Sequence, residues 1–265
     1  MNPRSAGEQP VSQRLTALLL MSGAASGALA ILGVALPGPL CRFGLLGFDL
    51  AVRIIRYAAF CGVLAMVFSL AGLILAVLGR HARYMAGLAA GLVLGILAAG
   101  IPYAWLSNIA HLPAIHDIST DTATPPAFEA GVLAARHGSA NSATYGGSEV
   151  AALQAQAYPD IRPLVLAQAW TIVYPAALRT VQALGWKLDS NDPMTGIIEA
   201  TSTSRWFGIS YDVVIRIRGS GTTTRLDIRS ESRQGHSDAG YDAHLIRVFR
   251  TALYKQLGMH TTERH

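Results

Sequence analysis

YMAGLAAGLVLGILAAGIPYAWL, Tyr84–Leu106, contains no acidic or basic side chain and no histidine. A helix rises about 1.5 Å per residue, so roughly 20 apolar residues cross a hydrocarbon layer of about 30 Å. This run is long enough. Two upstream runs, Leu15–Leu36 and Tyr57–Gly79, are equally uncharged and of similar length. The expected fold class is therefore a membrane α-helical region of three spans joined to an α+β soluble domain. The boundaries read as a cytoplasmic tail over 1–14, a transmembrane region over 15–106, a soluble domain over 107–258 and a tail over 259–265.

Charge divides the same way. The chain carries a net charge of +5. Up to Leu106 the basic residues are Arg4, Arg14, Arg42, Arg53, Arg56, Arg80 and Arg83, against Glu8 and Asp49 alone. The excess belongs to the membrane half, where basic residues flank spans and set orientation. The soluble half is neutral overall and has no surplus to spend on phosphates, which excludes a nucleic-acid partner. Cys41 and Cys61 are the two cysteines, both upstream of the soluble domain. That domain therefore has no disulfide framework and no thiolate metal site. None of the spans carries Asp, Glu, Lys, Arg or His, which argues against a transporter or channel.

Ala28-Leu29-Ala30 resembles a signal-peptide cleavage triplet. The apolar run continues to Leu36, past the roughly 7–15 residues of a signal core, so the segment reads as a retained span. Arg80, His81 and Arg83 precede the third span, whereas no Lys or Arg follows it until Arg136. The positive-inside rule then puts the N-terminus and the Arg80–Arg83 turn in the cytoplasm. The soluble domain falls on the outer, periplasmic side of a bacterial inner membrane. Arg42, Arg53 and Arg56 run against the rule. With Asp49 they share one helical face opposite Phe43, Leu46, Leu50 and Ile54, the pattern of an interfacial amphipathic segment near 42–56; an ordinary loop with scattered arginines is the alternative. Gly23 and Gly27, then Gly87, Gly91 and Gly95, recur every fourth position and favour close packing of the spans on one another. A dimer interface is the competing use of the same stripe.

Downstream, Ile115–Asp121 reads as a short extended stretch and Gly138–Gly147 as loop. Ala169–Leu184 has apolar residues at spacings of three and four, predicting a helix interrupted by Pro175. Period two marks strands over Trp186–Asp189, Gly196–Ser204, Tyr211–Arg218 and Thr223–Ser230. Ile198, Ala200, Val213, Ile215, Ile217, Leu226 and Ile228 share one face. Glu199, Thr201, Arg216, Arg225, Asp227, Arg229 and Glu231 share the other. An antiparallel four-stranded meander with one core face and one wet face is expected, gripped by two helices, the second over Tyr241–Leu257.

Several segments together resemble the uncharacterised family called domain of unknown function 1499. They are Ile115-His116-Asp117-Ile118-Ser119-Thr120-Asp121, Tyr158-Pro159-Asp160-Ile161, Gly185-Trp186, Gly196–Thr201, Arg205-Trp206-Phe207-Gly208, Asp212-Val213-Val214 and Arg229–Arg233, followed by Gly235, Ser237, Asp238 and Gly240. Asp242 departs from the pattern, which has Asn there. The resemblance implies a fold and almost no chemistry. A looser likeness, of architecture and a few turn residues, is to the helix-grip modules of a lipoprotein subunit of the outer-membrane barrel-assembly machinery.

The candidate binding residues are Arg205, Trp206, Phe207, Arg229, Ser230, Arg233, Ser237 and Asp238. Three guanidiniums near a strand-to-helix junction suit a carboxylate or phosphate, and Trp and Phe in a loop suit a partner surface. Cross-strand pairing with Glu199, Asp227, Glu231 and Asp238 is the competing use of the arginines, and Asp238 also suits a helix N-cap. His236, Asp238, Asp242 and His244 match no metal-ligand spacing. His116, Asp117 and Asp121 suit a structural junction better than acid–base chemistry. Ser237 lacks a nucleophile elbow, and Gly219-Ser220-Gly221 reads as a hairpin turn rather than a phosphate loop. No catalytic residue, metal or cofactor is assigned. The expected role is a membrane-anchored, non-enzymatic envelope protein whose domain binds a partner, such as an envelope protein, or assists assembly. An enzyme or receptor for a small anionic ligand, using Arg205, Arg229, Arg233 and Asp238, is the alternative.

Overall fold

A computed structural model describes residues 11–235, 237 and 239–259. The chain forms two compact units, residues 1–110 and 111–265.

In the first unit, α1 (Val11–Ala35), α3 (Phe48–Leu78) and α4 (Met85–Ile109) are each long and apolar enough to cross a membrane. A short helix, α2 (Pro37–Arg42), follows α1, and a 3-10 turn at Ala82–Tyr84 precedes α4. Within the stretch expected to be interfacial, 42–56, Phe48–Arg56 forms the first turns of α3. Phe48 to Leu78 contains no helix-breaking proline, so nothing in the sequence interrupts it. The three helices pack through small residues. Gly23 and Gly91 both abut Ser69, Gly27 meets Leu94 and Ala65, and Gly95 faces Gly62 and Met66. The glycine stripes are thus occupied within the unit.

In the second unit a six-stranded antiparallel sheet has the order β1 (Asp117–Ser119), β6 (Thr223–Ser232), β5 (Ser210–Ser220), β4 (Ile197–Thr203), β3 (Lys187–Asp192), with β2 (Leu164–Leu166) also pairing with β6. The α+β class is as expected, and β3–β6 form the four-stranded meander. Two short strands extend it because Asp117–Ser119 pairs with Arg229–Glu231, and Leu164–Leu166 with Thr224–Leu226.

Ile198, Ile215 and Ile228 lie opposite one another across three strands and are fully buried. Helices α7 (Trp170–Ala183) and α8 (Tyr241–Gln256) cover this face, with Val173, Ala177 and Val181 buried from one and Leu245, Phe249 and Leu253 from the other. Pro175 lies inside α7. Trp186 stacks on Phe249, ring centroids 5.9 Å apart.

The opposite face is not wet. Glu199, Asp212, Asp227 and Glu231 are fully buried, and Arg229 and Arg216 nearly so. The segment from Asp121 to Tyr145, which includes α5 (Ala130–Ala135), lies over it as a strap. Alternation of apolar and charged residues locates the two faces; it does not reveal that a polar segment elsewhere in the chain covers the charged one. Phe128 and Val132 of the strap reach Val214 and Ile197 through a small apolar patch, and hydrogen bonds do the rest. Helix α6 (Gly147–Ala157) flanks β1.

Candidate functional site

The charged layer between sheet and strap is built from register. Thr201, Asp212 and Glu231 oppose one another, as do Ile197, Arg216 and Asp227, so their side chains leave the same face. Desolvating a charge costs several kcal/mol unless partners replace the lost water. The partners are present. Arg229 donates Nε to Asp117 Oδ1 and Nη2 to Asp117 Oδ2, each at 2.8 Å, and Nη2 also reaches Glu231 Oε2 at 3.1 Å. Nη1 donates to the Pro126 carbonyl at 3.2 Å, and the Ala143 carbonyl shares Nη2 at 2.8 Å. Its guanidinium carbon stands 4.7 Å from the Phe128 ring centroid, a cation–π distance.

Arg136, at the end of α5, gives Nη1 to Asp212 Oδ2 at 2.6 Å and Nη2 to Glu231 Oε1 at 2.8 Å. Arg233 grips the same Asp212 through Nε at 2.9 Å and Nη2 at 2.7 Å, and donates Nη1 to Ala135 O at 3.1 Å. Arg216 joins Asp121 and Asp227, at 3.0 and 2.9 Å. Burial opposes ionisation of Asp121, but hydrogen bonds from Thr124 and the charges of Arg225 and Arg216 outweigh it and hold its pKa below the ordinary value. Burial, reinforced by the Asp117 charge, pushes Glu231 up to about 8 despite Arg136 and Arg229. Burial likewise raises Glu199, whose oxygens accept from Glu129 N–H and the Ser190 hydroxyl.

The sequence candidates fall into three places. Arg229 is in the covered layer, with Arg233 at its margin. Ser230 leaves β6 on the opposite face and donates its hydroxyl to Asp242 of α8. Arg205, Trp206 and Phe207 occupy the β4–β5 loop, where Trp206 is 48% exposed. Arg233 N–H donates to Ser210 O at 3.0 Å, which brings Arg233 to the same sheet end as that loop. Ser237 is exposed and accepts from Ala239 N–H at 3.2 Å. Asp238 and His236 lie outside the described residues. Asp117 and Asp121, read with His116 as suiting a structural junction, are held by Arg229 and by Arg216 and Arg225.

Among the described residues, no group of three or more His, Cys, Asp or Glu is placed to hold a metal. A groove of about 680 Å³ runs along α8, lined by Leu184, Val248, Thr251, Ala252 and Met259 with Arg247 and Lys255 at its edge. It carries no acid–base pair. Chemically, the layer acts as an internal adhesive: carboxylate and carbonyl oxygens of the chain itself surround the arginines that an anion would need.

Sequence reasoning did not single out Arg136, Phe128 and Asn141 of the covered layer, nor Gln154 at the open edge of β1. Gln154 Oε1 accepts from Ser119 N–H at 2.9 Å and its Nε2 donates to Ser119 O at 2.6 Å. The side chain thus stands where a further strand would be. A lone Arg in an alanine-rich run and one of two Gln on a surface helix give no local signal of such roles.

The model of the family described as Protein of unknown function (DUF1499) matches residues 117–253. That is more than half of the chain. The chain belongs to this family. Comparison with curated proteins gives no match. The DUF1499 match begins at Asp117, the partner of Arg229, and ends at Leu253 in α8, so it spans the whole sheet, the strap, α7 and α8 short of its last residues.

Proposed function

We propose that this DUF1499 protein is a non-catalytic module of the cell envelope, anchored by three spans and docking a partner through the sheet end that carries Arg205–Gly208 and Arg233. The supporting observation is a contrast in how side chains are used. The arginines of the covered layer are neutralised within the fold, whereas Trp206 is presented outward on a braced turn. Ser204 N–H donates to Ile209 O, Gly208 N–H to Ser204 O, and Ile209 N–H to the Ser204 hydroxyl, at 2.9, 3.1 and 3.0 Å. A rigid loop presents an aromatic side chain without an ordering cost on binding.

In this reading the domain faces the outer, periplasmic side of a bacterial inner membrane and the N-terminus is cytoplasmic. Arg80 and Arg83 before α4, with no Lys or Arg after it until Arg136, support that orientation. The small-anion reading rests on Arg205, Arg229 and Arg233 acting together. It is the weaker one, because Arg229 and Arg233 already hold Asp117 and Asp212.

The test places a photo-crosslinking amino acid at Phe207 in the full chain in native membranes, with topology reporters fused after Arg83 and His265. Docking requires an adduct at Phe207 that Trp206→Ala abolishes without changing the amount of folded protein. Reporters that put both fusions in one compartment would overturn the orientation, and absence of any adduct would overturn the docking.

A further inference from the structure

The sheet end bearing the β4–β5 loop is also where the chain enters the soluble unit. Ser232 N–H donates to His116 O at 3.0 Å, and Leu112 lies against Gly240, where a Cβ would meet its Cδ1 at 3.0 Å. Ser210, which accepts from Arg233, opens β5 directly after the loop. Residues 112–116, the loop 204–209 and Arg233 therefore share one end of the sheet.

Upstream, Tyr103 and Trp105 are exposed near the C-terminal end of α4, at 75% and 55%. Aromatic residues at the end of a span mark the level of the headgroups. The chain between Trp105 and Leu112 reaches at most about 25 Å when fully extended, and less here because α4 stays helical to Ile109. Covalent length thus limits how far the entry residues can travel from the headgroup level.

The loop has the chemistry of that layer. An indole is an apolar plate with one N–H donor, and Trp, like Tyr, is enriched at membrane–water boundaries. Arg205, exposed beside Trp206, carries the charge that phosphate attracts and a stem that lies along apolar surface. At the opposite end of the sheet the most exposed apolar residue is Met194, 97% exposed on the β3–β4 turn. Met194 lacks both the indole–guanidinium pair and the chain entry.

We infer that the Arg205–Phe207 loop lies in the phospholipid headgroup layer of the membrane that holds the chain, with the Trp206 indole at the boundary and Arg205 toward the phosphates. This rests on the docking reading of the same loop and names its partner as lipid. Contact with lipid also explains why a half-exposed Trp and an Arg sit on a turn braced by three hydrogen bonds.

The full chain is reconstituted in phospholipid nanodiscs with the photo-crosslinker replacing Trp206 or, separately, Met194. The expected result is an adduct of phospholipid mass at position 206 and none at 194. In parallel, brominated phospholipids should quench the fluorescence component that Trp206→Phe removes, a measurement that uses the unmodified chain and does not depend on the crosslinker variant folding. A protein adduct at 206 in native membranes, with no lipid adduct and no quenching, overturns the lipid assignment and leaves docking standing. No adduct of either kind, with an unquenched Trp206 component, overturns both.

Discussion

Arg229 and Asp117 meet through two parallel hydrogen bonds of 2.8 Å across the β6–β1 edge, with both side chains buried. The pair ties the first strand of the soluble unit to its last, 112 residues apart in the chain. Such a pair is not a large net stabiliser, because both charges are desolvated, yet removing one partner leaves the other buried and uncompensated. Asp117→Ala is expected to lower the unfolding free energy of the full chain in detergent by about 3–5 kcal/mol. Replacing both residues by Leu and Met should recover at least half of that loss. Equal losses in the single and double variants would show that the pair is not the cause.

Gln154 makes a different prediction, since it satisfies both backbone groups of Ser119. Gln154→Leu keeps the volume and orphans a buried N–H and a buried C=O, each costing about 1–3 kcal/mol. Hydrogen exchange at Ser119 should accelerate in that variant while exchange in β4 and β5 stays slow. Unchanged protection at Ser119 would mean that the amide is not held by this side chain.

Much of this architecture is legible in the residues themselves. The spans follow from three uncharged runs, and the core face of the sheet follows from the alternation through Val213, Ile215 and Ile217. The covered face is different. Arg229 and Asp227 alternate just as solvent-facing residues do, and nothing local distinguishes them from a wet strand. Their burial depends on Arg136, Phe128 and Asp121, roughly a hundred positions away, and period-two reasoning contains no such information. The same limit applies to the candidate site. Neighbours in sequence such as Arg229 and Ser230 are sent to opposite faces of β6 by the pleat, so proximity along the chain overstates how many of the named residues can act together.

Glu231 ties the covered layer to pH. Burial and the neighbouring Asp117 charge raise it to about 8 from an ordinary 4.5. The folded state then keeps a proton that the unfolded chain releases between those values. Its contribution is complete below the unfolded pKa and is lost as pH rises through about 8. Asp121 and Asp160, both held below the ordinary carboxylate value, titrate below this window, whereas Glu199, also raised by burial, adds to the same loss. The denaturation midpoint should therefore fall as pH rises from about 5 to about 8, and Glu231→Gln should reduce that slope, leaving the part due to Glu199. A slope unchanged in the variant would remove Glu231 as its source.

In the membrane half, a close approach of α3 and α4 sets the last prediction. A Cβ on Gly95 would lie 2.7 Å from Gly62 O and 2.9 Å from Met66 N, both backbone atoms that no rotamer change can move. On helix propensity alone, Gly→Ala would stabilise a helix by about 1 kcal/mol. Gly95→Ala is expected instead to destabilise the three-helix unit by about 1–3 kcal/mol, because the two backbones must separate to admit the methyl group. Gly100, on the same helix with nothing within 4 Å of its Cβ position, is the matched control. Thermal unfolding in detergent should show a lowered midpoint for Gly95→Ala and an unchanged or raised one for Gly100→Ala. Equal behaviour of the two variants would mean that Gly95 serves no close contact between α3 and α4.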